Sequence, residues 1–203
     1  NILILCTTFL VSMPSAEAQS FKDGLKSLGD KIGKQIVKTT QSVKNQTTGS
    51  KPTTQKPAAG KDIVMPDYIN YKGKRFPVTE MRGDIFWGKP IKSIKLPSTL
   101  TEISNAALRE TDISEIVIPA SVKIIQGSAF YGCKNLKKVI FESDKLDELH
   151  GCFQNCTSLQ SIKLPRYVGL SSYDMFSGCT NLTSVTLPEN LKELYDGTFN
   201  GCI

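Results

Sequence analysis

The sequence predicts a β-rich solenoid of stacked coils over its C-terminal part, and three regularities indicate this fold class. Phenylalanine, or leucine in one case, recurs at steps of 22 or 23 residues. A cysteine follows it at a constant step of 23 residues in the last four repeats. Each repeat also contains a short segment of alternating apolar and polar residues, which a proline usually closes. A period of 22–23 residues is that of leucine-rich repeats, whose coils stack to bury one continuous core.

The aligned positions form columns of equivalent residues. The aromatic column is Phe86, Leu108, Phe130, Phe153, Phe176 and Phe199, and the cysteine column is Cys133, Cys156, Cys179 and Cys202. The proline column is Pro97, Pro119, Pro165 and Pro188, with Glu142 at the equivalent position of the third repeat. Such residues at fixed spacing predict that the phenylalanines fill the core between successive coils.

Each repeat is predicted to begin with a short parallel strand. In Leu159–Pro165 the apolar residues alternate with polar ones, and Pro165 ends the strand because it has no N–H to donate. A second apolar pair follows, as in Val122/Ile125 and Leu191/Leu194, with Leu146/Leu149 shifted by one. The predicted architecture is therefore a ladder of short parallel strands joined by turns and short helical corners.

A tight corner is predicted just before each cysteine. This position holds Gly88, Gly132, Asn155, Gly178 and Gly201. Glycine and asparagine are the residues that best tolerate a left-handed backbone. The pattern weakens in the first repeat, where Leu108, Glu110 and Thr111 replace the consensus residues. We predict repeats over residues 91–203 and an N-terminal capping unit over residues 62–90.

The N-terminal segment is predicted to be an export signal. Residues 2–11 are an apolar run too short to span a bilayer, and Ala16 and Ala18 are the small residues of a signal-peptidase site. We predict a signal peptide over residues 1–18 and a secreted or cell-surface location. The alternative is a lipoprotein signal with Cys6 as the lipidated residue, which the bulky Leu5 disfavours.

A tether is predicted between the signal and the repeats. Apolar residues from Phe21 to Val43 recur at helical spacing, which predicts a basic amphipathic helix over residues 19–44. Its lysines suggest weak contact with an anionic surface through residues 21–44, but three glycines favour a marginal helix that is solvated or docked. Residues 45–61 have the Thr/Lys/Pro composition of a flexible linker.

The charge distribution and the histidine content argue against nucleic-acid binding and against a metal site. Residues 1–61 carry nine lysines and three acidic residues, whereas residues 62–203 carry 16 basic and 16 acidic residues. The repeats therefore have no basic excess of the kind that nucleic-acid binding needs. His150 is the only histidine, and its spacing to Cys152 and Cys156 does not match a zinc motif. We predict no metal, no cofactor and no catalytic residues.

The cysteine column allows two interpretations. Adjacent coils lie about 4.8 Å apart, which is within reach of a disulfide bridge. A small, apolar, buried residue repeated at a corner explains the column better. We favour free buried thiols over disulfides.

These residues resemble the BspA-type leucine-rich repeats of bacterial surface proteins. Residues 113–133 (ISEIVIPASVKIIQGSAFYGC) and 182–202 (LTSVTLPENLKELYDGTFNGC) carry the Pro, Ala-Phe and Cys positions that distinguish this family. Departures are Glu142 for Pro, and Cys152 and Met175 for the Ala. The resemblance implies a secreted or displayed, non-catalytic protein that acts in adhesion to host proteins or in co-aggregation.

The outward side of the first strands is the predicted binding surface, because solenoids commonly bind through such a face. Its residues are Lys95, Val117, Lys138, Ile140, Lys163 and Thr186. Val117 and Ile140 are apolar neighbours on it, although β-branched residues also simply favour strands. The expected partner is an extracellular protein or glycan.

Two other functions are consistent with the sequence. The chain could be a structural spacer of a longer surface protein, or an ancillary domain of an enzyme whose catalytic part lies elsewhere. No polar cap follows Cys202, so we expect further repeats or a partner to cover the last coil.

Overall fold

The computed structural model describes residues 60–71, 73–83, 85–170 and 173–202. The predicted signal peptide (1–18), amphipathic helix (19–44) and most of the linker (45–61) lie outside the described residues. Within the described ranges, no helix has the length and apolar character needed to cross a membrane.

The described residues form short strands connected by turns. They are β1 (Lys61–Val64), β2 (Tyr68–Tyr71), β3 (Lys74–Pro77), β4 (Glu80–Met81), β5 (Ile91–Lys95), β6 (Glu102–Ile103), β7 (Glu115–Ile118), β8 (Ile124–Ile125), β9 (Lys138–Phe141), β10 (Lys145–Leu149), β11 (Ser161–Lys163), β12 (Tyr167–Leu170) and β13 (Ser184–Thr186). The corners between them are turns, and no helical corner occurs in the part that the structure describes.

The strands build two parallel ladders, which confirms the predicted leucine-rich-repeat solenoid. The first ladder contains the hydrogen-bonded pairs β1–β5, β7–β9 and β11–β13. Strand β5 also lies beside β7, and β9 beside β11, so these pairs form one continuous side. The second ladder is a five-stranded sheet in the order β12-β10-β8-β6-β4. Only the hairpin β2–β3 is antiparallel among the strand pairs of the described residues.

Alternation of apolar and polar residues explains the first ladder. In β7 the side chains of Ile116 and Ile118 are buried, while Glu115 and Val117 are exposed. Strand β9 ends at Phe141, in register with Ile118 of β7, and its repeat has Glu142 where the others have proline. The Glu142 N–H donates to the Ile118 carbonyl at 3.0 Å, a bond that a proline could not make.

The aromatic column forms the core on the third side of each coil. Ring centroids are 5.2 Å apart for Phe130–Phe153, 5.8 Å for Phe153–Phe176 and 5.7 Å for Phe176–Phe199, and the rings are nearly parallel. The first three rings are fully buried, whereas Phe199 is 37% exposed. Phe199 therefore departs from the prediction of a core residue, because only one face of its ring is covered.

The predicted left-handed corner is confirmed at every position of the glycine column. Gly88, Gly132, Asn155, Gly178 and Gly201 have φ between 59° and 75°, and Glu110 has φ 56° at the same position of the first repeat. A second left-handed column contains Ala106, Ser128, Asp174 and Gly197. The sequence did not predict this column, because Ala and Ser carry no signal for a left-handed backbone.

The last coil differs from the others in its second segment. Leu191 and Leu194, predicted as an apolar pair, form no strand, and Leu194 is 47% exposed. Instead, the Asn190 side chain pairs with the backbone of Val168: the Val168 N–H donates to Asn190 Oδ1 and Asn190 Nδ2 donates to the Val168 carbonyl, both at 3.1 Å. A side-chain amide thus occupies backbone groups that a sixth strand would use.

Candidate functional site

The cysteine column lies inside the corner and bonds each coil to the one before it. The thiol of Cys156 donates to the Phe130 carbonyl at 3.2 Å, and that of Cys179 donates to the Phe153 carbonyl at 3.1 Å. Cys133 and Cys202 make the same bond to Leu108 and Phe176. The structure contains all four as free cysteines, together with the buried Cys152. These thiols act as buried hydrogen-bond donors between coils.

Burial also makes the thiols poor nucleophiles. Desolvation raises the pKa of Cys179 from its ordinary value of 9.0 to about 12. It raises the pKa of Cys152 and Cys156 well above their usual range. A reactive cysteine needs a lowered pKa and access to solvent, so this column offers no catalytic group.

His150 lies outside this cysteine cluster. Its Nε2 is 3.0 Å from Glu148 Oε2, whereas Cys152 and Cys156 are fully buried. Among the residues described by the structure, no group of three His, Cys, Asp or Glu side chains could hold a metal ion.

The outward side of the first ladder brings the predicted binding residues together. We call it the ladder face and define it by two rows of side chains. The inner row is Asp62, Ser93, Glu115, Lys138, Ser161 and Ser184, and the outer row is Val64, Lys95, Val117, Ile140, Lys163 and Thr186. Val117 lies directly opposite Ile140 in the register of β7 and β9, and Lys163 lies opposite Thr186.

Most of the outer row is accessible. Lys95, Lys163 and Thr186 are exposed, Val117 is 38% exposed, and Ile140 is half-buried. In the inner row, Lys138 Nζ is 3.7 Å from Glu115 Oε1. The structure therefore places the six predicted residues on one surface, five of them in a single row.

A groove adjoins this row beside Val117. Its volume is about 670 Å³, and its lining residues include Val64, Pro66, Asp67, Lys95, Pro97, Ser98, Val117, Pro119 and Glu142. Asp67 Oδ1 accepts hydrogen bonds from the Ser98 N–H at 2.6 Å and from the Ser98 hydroxyl at 3.0 Å. The groove combines an apolar wall with one lysine, Lys95, and two carboxylates, Asp67 and Glu142.

The family follows from the repeat pattern and the fold together. The model of the BspA type leucine rich repeat region matches residues 79–203 in six copies. The chain belongs to this family. The match covers more than half of the chain and includes β4.

Two solved structures have the same fold. A leucine rich cell surface protein from Faecalibacterium prausnitzii is 26% identical, with a TM-score of 0.64 over 70% of this chain and 39% of its own. The pneumococcal vaccine antigen PcpA is 26% identical, with a TM-score of 0.56 over 64% of this chain and 41% of its own. The chain thus spans about two fifths of the length of these two proteins. No curated protein matches it.

Two surface features of the described residues were not predicted from the sequence. Val64, which is 70% exposed, extends the outer row by one strand, but nothing in the repeat period predicts that β1 joins the first ladder. The second feature is a stack at the corner, where Arg109 lies between the rings of Trp87 and Tyr131, 4.7 and 4.3 Å from their centroids. These residues follow the aromatic column at a step of 22, which is the signal that could have revealed them.

Proposed function

We propose that the chain is an exported, non-catalytic leucine-rich-repeat protein that binds an extracellular partner at the cell surface, in adhesion or in another protein–protein contact. Membership of the BspA-type family supports this proposal, and so does the likeness to a leucine rich cell surface protein. The buried, protonated thiols support the absence of catalysis by the repeats. The proposed binding site is the ladder face.

The observation that carries the proposal is the pair of apolar side chains on the outward row. Val117 and Ile140 lie side by side at positions where alternation would place polar residues. They adjoin a groove whose wall includes Val64 and three prolines. Apolar groups beside a concavity on an otherwise polar surface are typical of recognition sites.

The test replaces these side chains with charge. Val117→Asp and the double variant Val117→Asp/Ile140→Asp are introduced into the full chain, with Leu194→Asp as the matched control on an exposed leucine away from the face. Dissociation constants are measured for matrix proteins, glycans and whole cells, and stability is measured by urea denaturation. We expect binding to fall at least about tenfold for the double variant, with the Leu194→Asp variant within about twofold of the parent.

Two results would contradict the proposal. If the double variant unfolds, the apolar pair is structural and the outward row is not a recognition surface. If it folds and binds every partner as the parent does, recognition lies elsewhere. A chain that binds nothing in this panel would favour the spacer function instead.

A further inference from the structure

Lysines flank the apolar pair on both sides of the outer row. The order along the row is Lys95, Val117, Ile140 and Lys163, on the adjacent strands β5, β7, β9 and β11. Neighbouring strands are separated by about 4.8 Å, so the backbone positions of the two lysines are about 14 Å apart. A ligand lying along the row would contact one positive charge, then the apolar pair, then a second positive charge.

The two acidic groups of the inner row each have a partner on the face, a serine hydroxyl for Asp62 and a lysine for Glu115. Asp62 Oδ1 accepts a hydrogen bond from Ser93 Oγ at 2.6 Å, and Glu115 lies 3.7 Å from Lys138. Among the described residues, neither Lys95 nor Lys163 has an ion-pair partner, and both are exposed. At the groove, Asp67 accepts hydrogen bonds from Ser98, and Glu142 is exposed. The outer row itself therefore carries two positive charges, Lys95 and Lys163, and no negative charge, while the carboxylates lie in the inner row and the groove.

The surface chemistry favours a polypeptide over a polysaccharide. Sugars commonly stack on aromatic rings, but the exposed aromatic side chains of the described residues, Tyr68, Trp87, Tyr167, Tyr173 and Phe199, all lie outside the first-ladder strands. The row and its groove instead present aliphatic side chains and prolines. These contacts suit an aliphatic anchor residue of a protein partner.

From this geometry, and resting on the proposed function of the same face, we infer that the ladder face binds an extended acidic polypeptide segment with the pattern Glu/Asp-x-apolar-x-Glu/Asp. In an extended chain, residues four apart are separated by about 13–14 Å. They also point to the same side as the residue midway between them. The two carboxylates then reach Lys95 and Lys163 while the central side chain contacts Val117 and Ile140.

The experiment measures binding of labelled synthetic peptides to the full chain by fluorescence anisotropy. The probe carries Glu-Ser-Leu-Ser-Glu between serine flanks. The control peptides replace both Glu with Gln, replace both Glu with Lys, or keep the composition in the order Glu-Glu-Ser-Leu-Ser. The polysaccharide probe is fluorescent heparin. The variants are Lys95→Glu/Lys163→Glu and a matched control with the same charge change, Lys123→Glu/Lys192→Glu, on exposed lysines outside the ladder face.

We expect saturable binding of the Glu-Ser-Leu-Ser-Glu peptide that falls at least about tenfold with Lys95→Glu/Lys163→Glu and with 0.5 M salt. The Lys123→Glu/Lys192→Glu variant should change it by less than about twofold. The Gln, Lys and reordered peptides should bind at least about tenfold more weakly, since each breaks either the charge match or the spacing.

Several results would overturn the inference. The first is that the Glu peptide shows no saturable binding. The second is that the Gln or reordered peptide binds as well as the Glu peptide does. The third is that only heparin binds in a way that depends on the two lysines.

Failure of this inference is distinct from failure of the proposed function. If a natural partner is lost with Val117→Asp/Ile140→Asp but retained with Lys95→Glu/Lys163→Glu, the ladder face binds and only the acidic pattern is wrong. If neither double variant affects the partner, the ladder face itself is not the site.

Discussion

The corner that holds the phenylalanines and the ladder face are two sides of the same coils, and they differ in how strictly the repeat determines their residues. At the corner, Phe130, Phe153 and Phe176 each contact an identical ring in the next coil. On the ladder face, the outward row changes from Lys95 to Val117 to Ile140 to Lys163. A buried position packed between its own equivalents is constrained to a large apolar side chain, whereas a position facing solvent is free to vary and so can carry specificity.

Of the changes that test this contrast, removing one ring from the middle of the stack should lower the free energy of unfolding most. Phe153 is fully buried between two rings, so Phe153→Ala should lower the free energy of unfolding by about 3–5 kcal/mol through the cavity it leaves. Phe199 is 37% exposed, so Phe199→Ala should cost less than half as much. Urea denaturation of the two variants measures the difference, and equal costs would mean that the stack gains nothing from being closed on both faces.

The buried thiols of the same corner should make the fold sensitive to alkaline pH. The pKa of Cys179 is raised from 9.0 to about 12, so the unfolded chain loses this proton before the folded chain does. Stability from this group is fully present below pH 9 and is lost between pH 9 and 12, at about 1.4 kcal/mol per pH unit within that window. Urea midpoints at pH 8, 9 and 10 should fall accordingly.

Cys179→Ser is the control for this effect, because serine retains a donor toward the Phe153 carbonyl but does not titrate. Its midpoints should fall less steeply between pH 9 and 10 than those of the parent. Identical slopes would show that Cys179 does not contribute to the loss of stability at alkaline pH.

The left-handed turn of the corner should tolerate less change than a neighbouring turn. Gly178 has φ 75°, and an added Cβ would meet the Asn155 side chain. Gly178→Ala should therefore cost about 1–2 kcal/mol. Gly127 is the matched glycine, since its added Cβ would meet its nearest atom at an ordinary 3.6 Å, and Gly127→Ala should change stability by less than about 0.5 kcal/mol. The reverse ranking in thermal denaturation would refute the assigned corner geometry.

The smallest change in stability is expected at Glu142, the residue that follows strand β9 of the ladder face. Glu142→Pro restores the consensus residue but removes the N–H that bonds to the Ile118 carbonyl at 3.0 Å. We expect a loss of about 1 kcal/mol, with Glu142→Gln unchanged as the control. A more stable Glu142→Pro variant would mean that the rigidity of the consensus proline outweighs the hydrogen bond in this coil.

Most of the repeat architecture could be predicted from the sequence because its determinants are local and recur in every coil. The alternation in β7 and the glycine column are set by residues a few positions apart, and both predictions are confirmed. The failure at Leu194 has a different origin: the side chain of Asn190 bonds to the backbone of Val168, 22 residues earlier in the preceding coil. The group that bonds to the edge of a strand depends on three-dimensional packing, and the repeat period alone does not predict it.

The candidate site was predictable in position but not in its extent. Outward residues of the first strands follow from alternation, so Lys95 to Thr186 could be assigned without a structure. Val64 and the groove beside it could not, because β1 lies outside the recurring pattern and reaches the ladder through a pairing of residues 30 or 31 positions apart. The chemical character of the ladder face depends on single residues, such as Val117 and Ile140, at positions that the repeat leaves free to vary.

The direction of the hydrogen bonds between coils also determines how the solenoid responds to mechanical force. Backbone ladders, thiol-to-carbonyl bonds and stacked rings all link a coil to the next along the solenoid axis. Tension along that axis loads the interfaces between coils in series, so we expect the coils to separate one at a time. Tension along the strands instead loads all the bonds of one ladder together in shear. The solenoid should therefore withstand more force along its strands than along its axis.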